Sequence, residues 1–146
     1  MSEEQRLRFV TGSEAEIEEL PRGLHEWLSR PGLTEAEELM LVRVHMPPGQ
    51  AHPFHRHPAQ EEIIYVLSGT AEQWVGEERR LLGPGEVAHI PRGMVHGTYN
   101  VGGDTLTFLA ILSPARFEGP ATVDVFMEEP WRSLRAPVEH PQHQPS

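Results

Sequence analysis

From residue 39 onward the chain runs with a period of two. Met40, Val42, Val44 and Met46 alternate with Leu41, Arg43 and His45, the pattern of a half-buried β-strand, because successive side chains leave a strand on opposite faces. Pro47, Pro48 and Gly49 end that segment, and similar turn signals recur at Gly76-Glu77-Glu78, Gly83-Pro84-Gly85-Glu86, Pro91-Arg92-Gly93 and Gly102-Gly103-Asp104. The stretches between them predict strands over 62–68, 70–75, 79–82, 87–90, 96–100 and 105–112, with Ala121–Met127 as one more candidate. Short strands at such regular spacing specify an all-β fold, an antiparallel sandwich or a small barrel.

The first 38 residues read differently. They are rich in charge, and Ser13 to Glu16 and Thr34 to Glu37 each place a hydroxyl residue three positions before a glutamate, a helix-start signature. The segment Gly23–Gly32 fits either a short helix, with Leu24, Trp27 and Leu28 on one side, or a bent strand. The end of the chain, from Ala136, is proline-rich and polar and is expected to be mobile. A length of 146 residues suits one domain. The expected organisation is an N-terminal extension (1–38), a β-barrel domain (39–128) and a C-terminal tail (129–146).

Charge excludes some functions. With 22 acidic against 12 basic side chains the formal net charge is -10, which repels a phosphate backbone or an anionic lipid surface, so neither nucleic acid nor membrane is an expected partner. The absence of cysteine removes thiolate metal sites and disulfides from consideration. No apolar run approaches the length of a membrane span, and the start of the chain lacks the apolar stretch of a signal peptide, which leaves a soluble cytoplasmic protein as the expectation.

Chemistry concentrates in His52–Gly69, where His52, His55, His57, Glu61 and Glu62 fall within eleven positions. In an extended segment His55 and His57 point the same way and can hold one metal ion, whereas His52 has the opposite parity. Glu61 shares the parity of the two histidines and Glu62 does not, but Pro58 interrupts the strand and restarts the count. Parity alone leaves both glutamates open. His25, His45, His140 and His143 read as ordinary solvated side chains.

A second cluster lies at Gly85–Asn100. Together the two stretches resemble the paired motifs of the cupin superfamily: Gly49, His55, His57, Glu62 and Gly69 fill the first, and Gly85, Pro91, Gly93, His96 and Asn100 the second. The 15 residues between Gly69 and Gly85 match the short spacer of compact single-domain bacterial members, and the resemblance covers about residues 40–112. It implies a jelly-roll β-barrel whose mouth holds one divalent transition metal ion on His55, His57, Glu62 and His96, with Glu62 preferred over Glu61 because it alone leaves six residues before Gly69. The glycines and Pro91 then read as turn residues, and Asn100 as a side chain bonded to local backbone.

Imidazole and carboxylate suit Fe, Mn, Ni, Zn or Cu alike. Two function classes follow from the resemblance. One is a metal-dependent oxygenase or isomerase acting on a small oxygenated or anionic molecule; the other is a non-catalytic small-molecule-binding or sensory module using the same pocket. His52 and His89 are the candidate catalytic bases, each close to a ligand position along the chain. Phe54, Tyr65, Trp74, Met94 and Tyr99 are candidates for either pocket wall or core. Exposed sheet edges, together with an extension long enough to reach a neighbour, predict a homodimer.

Overall fold

Two antiparallel sheets lie face to face in the computed structural model, which describes residues 5–138. The strands are β1 (Glu16–Leu20), β2 (Gly23–Ser29), β3 (Met40–Met46), β4 (Ala51–Arg56), β5 (Glu61–Ser68), β6 (Ala71–Val75), β7 (Glu78–Leu82), β8 (Val87–Ile90), β9 (His96–Asn100), β10 (Leu106–Ser113) and β11 (Val123–Asp124), followed by one turn of helix, α1 (Trp131–Leu134). One sheet has the order β1-β2-β3-β10-β5-β8 and the other β11-β4-β9-β6-β7. The chain crosses between sheets after β3, β4, β5, β7, β8, β9 and β10, which is the winding of a jelly roll. The two sheets form a sandwich and are not joined by strand pairing into a closed barrel.

The alternation seen in the sequence is the alternation of burial. On β3, Val42, Val44 and Met46 face the other sheet, and on β5 Glu62, Ile64 and Val66 are buried while Glu61, Ile63 and Tyr65 are not. With Ile90, Leu106 and Phe108 these side chains form the principal core between the sheets. Gly49, Gly69, Gly85 and Gly93 all have positive φ, the conformation in which a residue with a Cβ is strained. Asn100 donates to the carbonyls of Met46 and Asp104 and accepts from the amide of Gly102, so it ties the end of β9 to two neighbouring turns.

At the start of the chain the structure takes the bent-strand alternative for Gly23–Ser29 and departs from the helix-start signals. Residues 16–29 form neither helix; β1 and β2 make a hairpin whose second strand pairs along β3, so they extend the first sheet. Thr34 begins no helix either, and its hydroxyl is engaged with Ser29 and the carbonyl of Arg30. At the other end Phe54, Trp74 and Tyr99 form a second core on the outer side of the second sheet, and Trp131, Leu134 and Val138 cover it. Arg135 donates to Glu72 at 2.7 Å and stacks over the Tyr99 ring, anchoring the tail as far as it is described. His140 and His143 lie outside the described residues. Among the described residues no helix is long and apolar enough to cross a membrane.

Candidate metal centre

His55 ends the inward face of β4, His57 follows one residue after that strand, His96 opens β9, and Glu62 is the first buried residue of β5. Pairing of His55 with His96 across β4 and β9 brings the two motifs together from 41 positions apart. One ring nitrogen from each of His55, His57 and His96 lies within 4.8 Å of the others. From the opposite sheet, Glu62 reaches across the sandwich so that its Oε1 is 2.9 Å from Nε2 of His96 and 3.3 Å from Nε2 of His57.

Backbone carbonyls set the tautomers. Nδ1 of His55 contacts the carbonyl of Pro53 at 2.6 Å, Nδ1 of His57 that of Ala121 at 2.9 Å, and Nδ1 of His96 that of Met94 at 3.0 Å. A carbonyl oxygen only accepts, so each Nδ1 carries the hydrogen and each neutral imidazole presents the lone pair of Nε2 to the centre of the cluster. Two of the converging atoms, Oε1 of Glu62 and Nε2 of His96, are buried and make no aligned hydrogen bond. Buried polar atoms without partners cost roughly 1–3 kcal/mol each, and a cation between them removes that cost for both. The donor set therefore fits a divalent metal ion.

Electrostatics agree with the geometry. Burial raises the cost of charge on Glu62, but the neighbouring His57 and His96 outweigh it and hold the carboxyl well below the usual carboxylate range. Burial, with His96 and His57 beside it, keeps the His55 imidazole neutral. Burial opposes charge on His57 as well, but contact with Glu62 outweighs it and leaves that pKa raised. These contacts hold Glu62 as the anion by sharing histidine protons with it, and a cation bound between the same atoms would displace those protons.

The centre forms one wall of a cavity of about 310 Å³ between the sheets. Its other walls are aliphatic, from Met40, Val42, Ile64 and Leu112 with Phe108, and the hairpin contributes Trp27. None of the aromatic candidates from the sequence lines it: Phe54, Trp74 and Tyr99 belong to the second core, and Tyr65 and Met94 are exposed. The apolar part of the lining comes from inward positions of β3, β5 and β10, among them Val42, Val44, Ile64, Phe108, Ala110 and Leu112.

His52 also faces this cavity. A shift of register between β4 and β9 from His52 to His55 marks a bulge, which reverses parity and puts both residues on one face. Its Nε2 lies 3.2 Å from Nε2 of His25 on the hairpin. Burial, and then the nearby Arg22, lower the pKa of His25 to about 4, and burial with His25 alongside keeps His52 neutral too. His25 is thus no solvated side chain but part of the cavity wall, as are Arg22 and Gln60, neither of which the motif pattern indicated. His89 and Glu61 go elsewhere: they contact each other at 2.5 Å on the outer face of the first sheet, away from the cavity.

Comparison with known proteins gives the same picture. The profile of the family described as Cupin domain matches residues 42–112. Germin-like protein 3-8 of Oryza sativa subsp. japonica is 41% identical over 81 residues, 50% of this chain and 34% of that protein. Dimethylsulfoniopropionate lyase DddQ of Ruegeria pomeroyi is 44% identical over 64 residues, 43% of this chain and 31% of that one. The chain thus spans about a third of the length of these two curated relatives. Among solved structures, the polyketide cyclase RemF from Streptomyces resistomycificus superposes with a TM-score of 0.68 at 27% identity, covering 86% of this chain and 91% of that one.

Proposed function

The chain belongs to the cupin superfamily, and from that premise we propose that it is a metal-dependent enzyme that shifts a proton on a small anionic, oxygenated molecule, an isomerase-type reaction. The observation that carries this reading is the pair of buried, unpartnered atoms, Oε1 of Glu62 and Nε2 of His96, set among imidazoles at the wall of a cavity large enough for a small ligand.

His55, His57, Glu62 and His96 are the residues that hold the ion, one of Fe, Mn, Ni, Zn or Cu. A divalent ion there supplies a Lewis acid that polarises an oxygen of the substrate. One carboxylate against two positive charges leaves a formal charge of +1, which favours an anionic oxygen ligand. His52 is the base: neutral, at the cavity wall and hydrogen-bonded to His25, it takes a proton from a carbon next to the polarised oxygen and returns it to another carbon. The aliphatic walls exclude water and hold the carbon skeleton. Proton transfer is favoured over oxygen insertion by this neutral imidazole pair and by relatives described as a lyase and a cyclase, names that denote bond cleavage and ring closure. We also place the chain in a homodimer.

Metal content and turnover test the reading together. Protein prepared without added metal or chelator should carry about one equivalent of ion, Glu62→Gln should lower that content, and Glu61→Gln should leave it unchanged. With enediols, flavonols, β-diketones and sugar acids in deuterated water, the wild type should exchange a carbon-bound hydrogen without taking up oxygen, and His96→Ala should abolish exchange. Oxygen uptake would assign the site to oxygenation instead, binding without exchange would make it a sensory module, and equal metal loss in both glutamate variants would refute the ligand set.

A further inference from the structure

The hairpin β1–β2 closes one side of the cavity, and the turn between its strands carries Arg22. Nε of Arg22 is buried and has no hydrogen-bond partner. Burial opposes its charge, and Asp124 and then Glu18 support it, yet neither carboxylate forms an ion pair with Arg22 within 4.0 Å among the described residues. Glu18 is engaged elsewhere, accepting from the Trp27 indole at 3.2 Å and lying 3.7 Å from Nδ1 of His25. A partly buried guanidinium whose Nε–H is enclosed and unused is costly, and the residue type is specialised for planar oxyanions, which it grips through two parallel N–H groups.

Arg22 does not belong to the metal cluster. Its charge acts on His25 and His52, and a row of rings separates it from the cluster: His25 to His52 at 5.2 Å between centroids, His52 to His55 at 6.3 Å, and His55 to His96 at 4.2 Å. The cavity thus has two polar groups, the three histidines with Glu62 and the arginine, with the rings of His25 and His52 between them and aliphatic side chains elsewhere in its lining. A ligand that satisfies both has an anionic oxygen group at each end of a short carbon chain.

We propose that Arg22 is a binding residue that holds a carboxylate in the cavity at a point separate from the metal cluster, and that the substrates are small molecules with two anionic oxygen groups, of the dicarboxylate class. This rests on the cavity being the ligand site of the proposed enzyme and adds the substrate class to it. Asp124, which lies opposite His55 across β4 and β11, also lines the cavity, acts on Arg22 and repels an incoming carboxylate. Neutralising it should therefore strengthen binding.

The probes are succinate and glutarate, each compared with the monocarboxylate of the same length, butyrate and valerate. Calorimetry on metal-loaded wild type should show the dicarboxylates binding about tenfold or more tightly than their partners, the gain expected of one charge-assisted bidentate contact. Arg22→Gln should erase that preference with metal content unchanged, Arg22→Lys should keep part of it, and Asp124→Asn should increase it. Metal-free protein supplies an independent reading: the Nε–H resonance of Arg22, assigned by its loss in Arg22→Gln, should move on titration with succinate. Failure to bind metal would sink the proposed function and leave this resonance informative. A preference that survives in Arg22→Gln, no preference in the wild type, or an Nε–H signal unmoved by succinate would overturn the assignment.

Discussion

His25 is 8% exposed and its pKa is lowered to about 4 by burial first and by Arg22 second. In the unfolded chain the same imidazole titrates near 6.5. As pH falls through that value the unfolded state takes up a proton that the folded state refuses until about pH 4, so stability is lost across this window and is unaffected above it. The difference amounts to roughly 3 kcal/mol at its full extent. Carboxylates with depressed pKa, Glu62 among them, add their loss only as pH falls below the ordinary carboxylate value. Urea unfolding between about pH 6.5 and 4.5 should show stability falling with pH in the wild type, and His25→Gln should flatten that slope by about 1.4 kcal/mol per pH unit, the value of one proton. An unchanged slope would mean that His25 is solvated. Strand parity in the sequence aligned His55 with His57 but left Glu61 and Glu62 open, and it was the resemblance to the paired cupin motifs that added Glu62 and His96. Arg22 and His25 were not legible, since their place in the cavity follows from the pairing of β2 with β3, and nothing local to residues 22–25 announces it. His52 was read on the wrong face because a bulge leaves no trace in a parity count.

At the scale of elements, the hairpin β1–β2 is what turns an open cleft into a cavity, and Gly23 is what lets it approach. Gly23 has φ of 144°, and a Cβ there would strike the carbonyl of His45 on β3. Backbone cannot swing aside as a side chain can, so Gly23→Ala should cost about 1–3 kcal/mol and concentrate that cost in the hairpin. Hydrogen exchange should show faster exchange of β1 and β2 amides with β5 and β10 still protected; uniform loss across the sheets, or none, would contradict this role. Most strands from β3 to β10 were legible because a short alternating or apolar run is closed by a glycine or proline turn: β3, β8 and β9 have the bounds expected, β5 and β7 begin one residue earlier, and only β4 was not among the strands expected. The hairpin was not legible, because the hydroxyl and glutamate signals at Ser13 and Thr34 are local preferences worth about 1 kcal/mol, less than strand pairing along β3 provides. The covering of the second core by Trp131, Leu134 and Val138 was not read either, since the polar and charged residues around them give no periodic signal.

For the whole molecule, the expected homodimer needs a different surface from the one the sequence suggested. The residues before β3 cannot serve as an arm to a neighbour where β1 and β2 already pair within their own chain. Edge strand β7 is guarded by Arg79 and Arg80, whose charges discourage another strand from pairing there. The outer face of the first sheet is different. Ile63, Tyr65 and Leu67 on β5 are each 38–39% exposed and Val87 on β8 is 48% exposed. Strand register puts Tyr65 between Val87 and Leu109, and Ile63 beside Ile111, so these residues form one continuous apolar surface. The same face also carries charge, with His89 of the Glu61–His89 pair opposite Ile63 and Arg43, bound to Glu26, opposite Leu109, so the apolar strip runs between two polar groups. Such a surface is what a two-fold partner would cover, because a sheet face can meet its own copy across a symmetry axis. Light scattering at micromolar concentration should therefore give twice the chain mass of 16.5 kDa. Tyr65→Glu with Leu67→Glu should give the monomer mass while retaining metal, because both side chains point away from the cavity. A monomer in the wild type would remove the dimer, and a dimer that survives both substitutions would move it to another face.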